Sequence, residues 1–178
     1  MKFSVLLVSN WRAIRQFSTA IEIFDRKLKR AHKYYALSDS SFCDYDYLKN
    51  ESARRLIGRI EDINRKFPIA LDTSAHRFQL LNCLLERNVV NNFRIGGIEK
   101  LIQCDLVDQH PLSTKMEEYR SATNQDTNIE TSYRPGDEED IDFDQESFNL
   151  VMSNLSLHWV NNIPKTLQKV SNKHVSIN

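Results

Sequence analysis

Between residues 46 and 72, Ala53, Leu56, Ile57, Ile60, Ile63 and Phe67 recur at steps of three and four, with Arg54, Arg55, Arg59 and Glu61 between them. That spacing predicts an amphipathic helix with one stripe against a core. Pro68 sets its limit, because proline excludes the helical conformation from the residue before it. "PIALD" then reads as a short buried strand ending at Asp72, and "RFQLLNCLLERN" as a helix with Phe78, Leu81, Leu84 and Leu85 inward. Gly96-Gly97 marks a turn, and "IEKLIQCDL" is a second strand ending at Asp105. Residues 111–126 are polar, with a short helix at "STKMEEYR". "NIETSY" alternates as an edge strand does. "SFNLVMSNLSL" is the strongest strand, apolar on both faces like a buried parallel strand. "NIPKTLQKV" closes the pattern as a helix from about Pro164, with Leu167 and Val170 inward. No internal repeat is present.

Strands alternating with helices predict an α/β fold with a doubly wound, Rossmann-like parallel sheet. Ligands of such sheets bind beyond the carboxyl ends of the strands. Asp72, Asp105 and Asp137 all fall just after predicted strands. A carboxylate closing the second strand can accept both ribose hydroxyls of an adenosine. The competing reading is three solvated acids at strand ends.

Composition changes this picture little. The 178 residues carry 24 basic and 24 acidic side chains, so net charge does not point to nucleic acid or membrane. The charge is uneven, however. Residues 26–33, "RKLKRAHK", are basic, and 137–146, "DEEDIDFDQE", hold seven carboxylates. Such blocks are read as solvated faces. No stretch of 18 apolar residues predicts a membrane span. Cys43, Cys83 and Cys104 are few and widely spaced, which predicts reduced thiols rather than a disulfide framework. Histidines 32, 76, 110, 158 and 174 lack zinc-ligand spacing, and no metal site or facial triad of two histidines and a carboxylate is predicted. The first twenty residues are basic and hydroxylated and hold no acid, the composition of a mitochondrial transit peptide, with "RQFS" at 15–18 as the cleavage region. A secretory signal is the rival there, but the apolar core "FSVLLV" is short for one.

Three segments carry a resemblance: "FDRKLKRAHK" at 24–33, "DYLKNESARRLIGRIEDINRKFPIALD" at 46–72 and "FNLVMSNLSLHWVNNIP" at 148–164. Together they resemble the mitochondrial respiratory complex I assembly factor 5 family, within the class I S-adenosylmethionine-dependent methyltransferase superfamily. The resemblance implies a complex I (NADH dehydrogenase) assembly role on the matrix side of the inner membrane. It also implies partners among complex I subunits or other assembly factors, and arginine hydroxylation of a core subunit as the family's activity. It implies S-adenosylmethionine as cofactor, with Asp72 near its methionine amino group, Asp105 on the ribose and Asp137 on the adenine amine. Ser74, Glu138 and Asn154 complete the candidate cofactor set, and His158-Trp159 match the family's "HW" pair. Core packing is the alternative for that pair.

Two departures accompany the likeness. Where the family reads "LDLGCGRG", this chain reads "LDTSAHRF", so Ser74, His76 and Phe78 stand at the three glycines. Side chains there compete with the cofactor and strain the backbone, which predicts at best millimolar affinity. His76 is read as a solvent-facing loop residue rather than a catalytic base. The second departure is length: strands five to seven of the superfamily sheet are absent, which leaves strand four as an apolar edge and predicts a truncated chain, with a partner covering that edge as the alternative. The expected division is a transit peptide at 1–20, a helical segment at 21–66, a partial methyltransferase-like domain at 67–170 and a divergent tail at 171–178. Two further functions stay open. One is an active methyltransferase on a small acid or carrier-bound thioester. The other is a non-catalytic scaffold whose basic and acidic blocks grip protein partners.

Overall fold

The computed structural model describes residues 22–108 and 129–173. The import segment, the "STKMEEYR" helix and the end of the tail lie outside the described residues. Helix α1, Arg26–Ser38, is capped by Asp25, whose carboxylate accepts the N–H groups of Lys27 and Leu28. Such a cap stabilises a helix start by about 1 kcal/mol. A 3₁₀ turn, Ser40–Tyr45, leads into α2, Tyr47–Glu61. Strand β1 (Ile69–Asp72), helix α3 (Gln79–Asn91), β2 (Lys100–Asp105), β3 (Glu130–Pro135), β4 (Leu150–Met152) and α4 (Ile163–Lys173) follow. The sheet order is β3-β2-β1-β4 and every pair is parallel. This is the expected incomplete doubly wound sheet, with β3 and β4 as its edges among the described residues.

One sheet face packs on α2 and α3. Ala53, Ile57 and Ile60 of α2 meet Leu80, Leu81 and Leu84 of α3 over Ala70 and Leu101 of the strands. Each fully buried leucine contributes about 1.5–3 kcal/mol relative to an exposed one, so this layer dominates the fold energetically. The opposite face buries Leu71, Cys104, Ile141 and Phe148, with Val170 of α4 against them.

Three elements differ from their sequence reading. Helix α2 ends at Glu61, short of Pro68, and Ile63 is 47% exposed. Phe67 still reaches the core because the chain doubles back and its N–H donates to Gly96 O at 2.7 Å. The apolar run 147–157 forms only a three-residue strand, because after Met152 the chain leaves the sheet to build the site loop. In α4, Leu167 is 39% exposed, and Thr166 and Val170, four residues apart, face inward instead. Helix α4 continues through 171–173.

Helix α1 belongs to neither layer. Its partners are Asp105 at the end of β2, Asp108, the 137–139 segment after β3 and Trp159 after β4. It therefore lies across the carboxyl ends of the strands.

Candidate cofactor cleft

The loop after β1 is held by consecutive backbone donors. Thr73 N–H reaches Met152 O at 2.9 Å, and Ser74 N–H reaches Asp72 Oδ1 at 2.9 Å. Ala75 N–H reaches Cys104 O at 2.8 Å, and His76 N–H reaches Asp105 Oδ2 at 2.9 Å. Four successive residues thus tie the loop to β4, β1 and β2 in turn. His76 (φ 47°) and Phe78 (φ 63°) both adopt the left-handed conformation. The glycine-type backbone course survives without the glycines, at about 1–2 kcal/mol per residue.

The side chains at those positions go inward. Phe78 is in the core, edge-on to Tyr133 with ring centroids 6.5 Å apart. His76 is 5% exposed, which corrects the solvent-facing expectation. Its Nε2 lies 2.9 Å from Asn154 O. A carbonyl only accepts, so Nε2 carries the proton. Burial, reinforced by Lys33 and Lys49, pushes the imidazole pKa far down and keeps the ring neutral. Ser74 Oγ accepts the N–H of Asn154 at 2.7 Å, and Asn154 Nδ2 donates to Lys49 O at 3.1 Å. Ser74 and Asn154 therefore join the β1 and β4 loops to each other.

Asp72 is buried, and burial pushes its pKa up to about 7, against the pull of its bonds from Ser74. Its Oδ2 has no hydrogen-bond partner among the described residues, and neither has Asn154 Oδ1. Asp105, fully buried, faces Lys33 Nζ at 2.8 Å. Burial opposes its charge, but Lys33 and His76 together outweigh that and hold the carboxyl below its usual range. The charge of Lys33 also acts on Asp72, His76 and Glu138. Asp72 and Asp105 thus lie within electrostatic reach of each other, with the ammonium groups of Lys33 and Lys49 both acting on Asp105.

Arg26 clamps the segment after β3. Its Nε lies 3.0 Å from Asp137 Oδ2 and its Nη2 2.6 Å from Oδ1, a bidentate pair. The same Nη2 is 3.0 Å from Glu138 Oε2, and Nη1 donates to Trp159 O at 2.9 Å. Burial raises the Glu138 pKa. The basic and acidic blocks, read from sequence as solvated faces or partner grips, meet each other here. Arg26 and Lys33 were the functional side chains that reading missed. Their spacing of seven residues, two turns on one face of a helix, was the available signal.

His158 and Trp159 sit in a 3₁₀ turn, Leu157–Trp159, with ring centroids 4.9 Å apart. Trp159 is 40% exposed, so core packing does not explain it. Lys29 Nζ stands 3.1 Å from its ring centroid, and Phe24 packs edge-on at 5.5 Å. Cys83 and Cys104 are buried free thiols, and burial pushes Cys104 up to about 12. Among the described residues no group of three or more His, Cys, Asp or Glu is placed to hold a metal ion.

S-adenosylmethionine would bring hydroxyl and amine donors to Asp105 and Asp137. Both acids already face donors from α1, and the His76 ring fills the loop where glycine would leave room. In this arrangement the residues do not fit that cofactor.

The chain matches a family model described as a methyltransferase domain over residues 101–173. It is 36% identical over 151 residues to the protein named arginine-hydroxylase NDUFAF5, mitochondrial, of Mus musculus, covering 85% of this chain and 38% of that one. The Homo sapiens protein of the same name is 36% identical over 150 residues, 84% of this chain and 38% of that one. The chain thus spans about two fifths of the length of these relatives. Among solved structures, a Methanococcus maripaludis protein named as an S-adenosyl-L-methionine-dependent methyltransferase superposes with TM-score 0.52 at 15% identity, over 90% of this chain and 64% of that one. The YcgJ protein of Bacillus subtilis does so with TM-score 0.51 at 14% identity, over 70% and 46%. At such identities these two establish the fold alone, and the fold is the class I methyltransferase one.

Proposed function

We propose that this relative of the mitochondrial arginine-hydroxylases, built on the class I methyltransferase fold, serves as a complex I assembly-factor-like protein. The observation that carries the reading is 36% identity over 85% of the chain to a protein of that name. Under it, residues 1–20 direct import, 21–66 form the helical segment and 67–170 the partial methyltransferase-like domain, followed by a divergent tail. The chain works in the matrix or on the matrix side of the inner membrane, with complex I subunits or other assembly factors as partners. Attachment there is peripheral under this reading; among the described residues no helix is long and apolar enough to cross a membrane.

Asp72, Ser74, Asp105, Asp137, Glu138 and Asn154 form the ancestral adenosyl cleft. In this chain their first task is to hold α1 and the loops together. The relatives are named arginine-hydroxylases, and arginine hydroxylation is the activity that goes with this reading. The Arg26 and Lys33 ion pairs favour that reading over an active methyltransferase, since they engage the acids a cofactor would need.

A tagged full chain expressed in cells lacking the relative tests the proposal. Co-purification with complex I subunits and recovery of assembled complex on native gels are expected. Absence of both would refute it. A reporter fused to residues 1–20 is expected to reach mitochondria, and cytosolic signal would remove the import assignment.

A further inference from the structure

We propose that helix α1 and His76 are a built-in occupant of the nucleoside end of the cleft, so that an adenosyl ligand binds only when α1 is displaced. The inference rests on the reading of Asp105 and Asp137 as the ancestral ribose and adenine acids. What a nucleoside offers such acids is a set of N–H and O–H donors. Helix α1 offers the same chemistry, ammonium at Asp105 and guanidinium across both oxygens of Asp137. The two donors stand seven residues apart, about 10 Å along one helix face, and so span both acids from a single rigid element.

The rest of the cleft is closed in the same way. The His76 ring takes Asn154 O, and Lys49, on α2, is bound through its own carbonyl to Asn154 Nδ2. Trp159 is pinned between Lys29 of α1 and Phe24 just ahead of it. Asn161 Oδ1 accepts the N–H groups of Ile23 and Phe24 at 2.8 and 2.7 Å, so the approach to α1 is fixed at its start as well. Ordinary ion pairing on a protein surface does not account for Asp105, which is fully buried with Lys33 as its cation. A ligand must compete with these contacts, and its apparent affinity falls by the fraction of molecules in which α1 has moved away.

Isothermal titration of the full chain with S-adenosylhomocysteine tests this, with circular dichroism to verify folding. The wild-type dissociation constant is expected to be weaker than about 100 μM. His76→Gly, which keeps every ion pair, and Lys33→Ala are each expected to tighten binding at least about tenfold. If Lys33→Ala fails to fold, because Asp105 is left buried and alone, His76→Gly decides. Hydrogen exchange adds a second readout: ligand bound to the His76→Gly chain is expected to speed exchange of the α1 amides. Wild-type binding tighter than about 100 μM, a folded His76→Gly chain with unchanged affinity, or ligand bound beside a fully protected α1 would each overturn the proposal. Co-purification with complex I subunits needs no cofactor, so that experiment and this one fail independently.

Discussion

Two left-handed turns stand at opposite ends of the sheet and solve the same backbone problem with opposite residues. Ahead of β2, Gly96 (φ 60°) and Gly97 (φ 61°) make the turn. After β1, His76 (φ 47°) and Phe78 (φ 63°) do. A Cβ on Gly96 would lie 2.7 Å from Ile60 Cγ2 and 3.3 Å from Phe67 Cδ2, inside the packed layer between α2 and β1. After β1 the His76 ring lies against Asn154 O and the Phe78 ring packs in the core, so there the side chains find room and partners. Left-handed backbone alone costs an L-residue about 1–2 kcal/mol, which a buried ring can offset. A collision with packed side chains offers nothing in return. Glycine is therefore held by space at one turn and released at the other.

The comparison breaks if Gly96→Ala is tolerated. It is expected to cost about 2–4 kcal/mol in urea unfolding, from the conformation plus overpacking. Phe78→Gly sharpens the other side. Relief of strain predicts a gain, loss of a buried ring a deficit, and the net expectation is a loss of about 2–3 kcal/mol. A stabilised variant would mean that backbone strain governs this loop too.

The smallest effect concerns charge, which the carboxyl end of the sheet buries at Asp72, Asp105 and Glu138. Asp72 titrates near 7 in the folded chain against 3.8 as its ordinary value, so between these the folded state holds the proton and the unfolded state does not. Its contribution to stability is present below about pH 4 and is lost as pH rises to about 7. Asp72→Asn removes that loss. It is expected to leave unfolding free energy little changed at pH 4 and to raise it by about 1–2 kcal/mol at pH 8. His76, neutral by burial, shifts stability in the opposite direction below its ordinary pKa, but equally in both chains. Equal variant and wild-type curves at pH 8 would place Asp72 in water.

Helix α3, the strands β1 and β2 and the acids that close them were legible because apolar periodicity reports which face of an element is buried, a local property of the chain. The family likeness was equally legible in three short segments. Tertiary structure alone decided what the charges do. Arg26 and Asp137 are 111 positions apart, and no local pattern says that two charged blocks read as solvated faces will meet. It also decided that His76 is buried, that Leu167 is half in water and that α2 stops at Glu61. Each of these depends on where a neighbouring element lies. A residue's own environment in the chain tells whether it can be buried; the space left by distant parts of the fold tells whether it is.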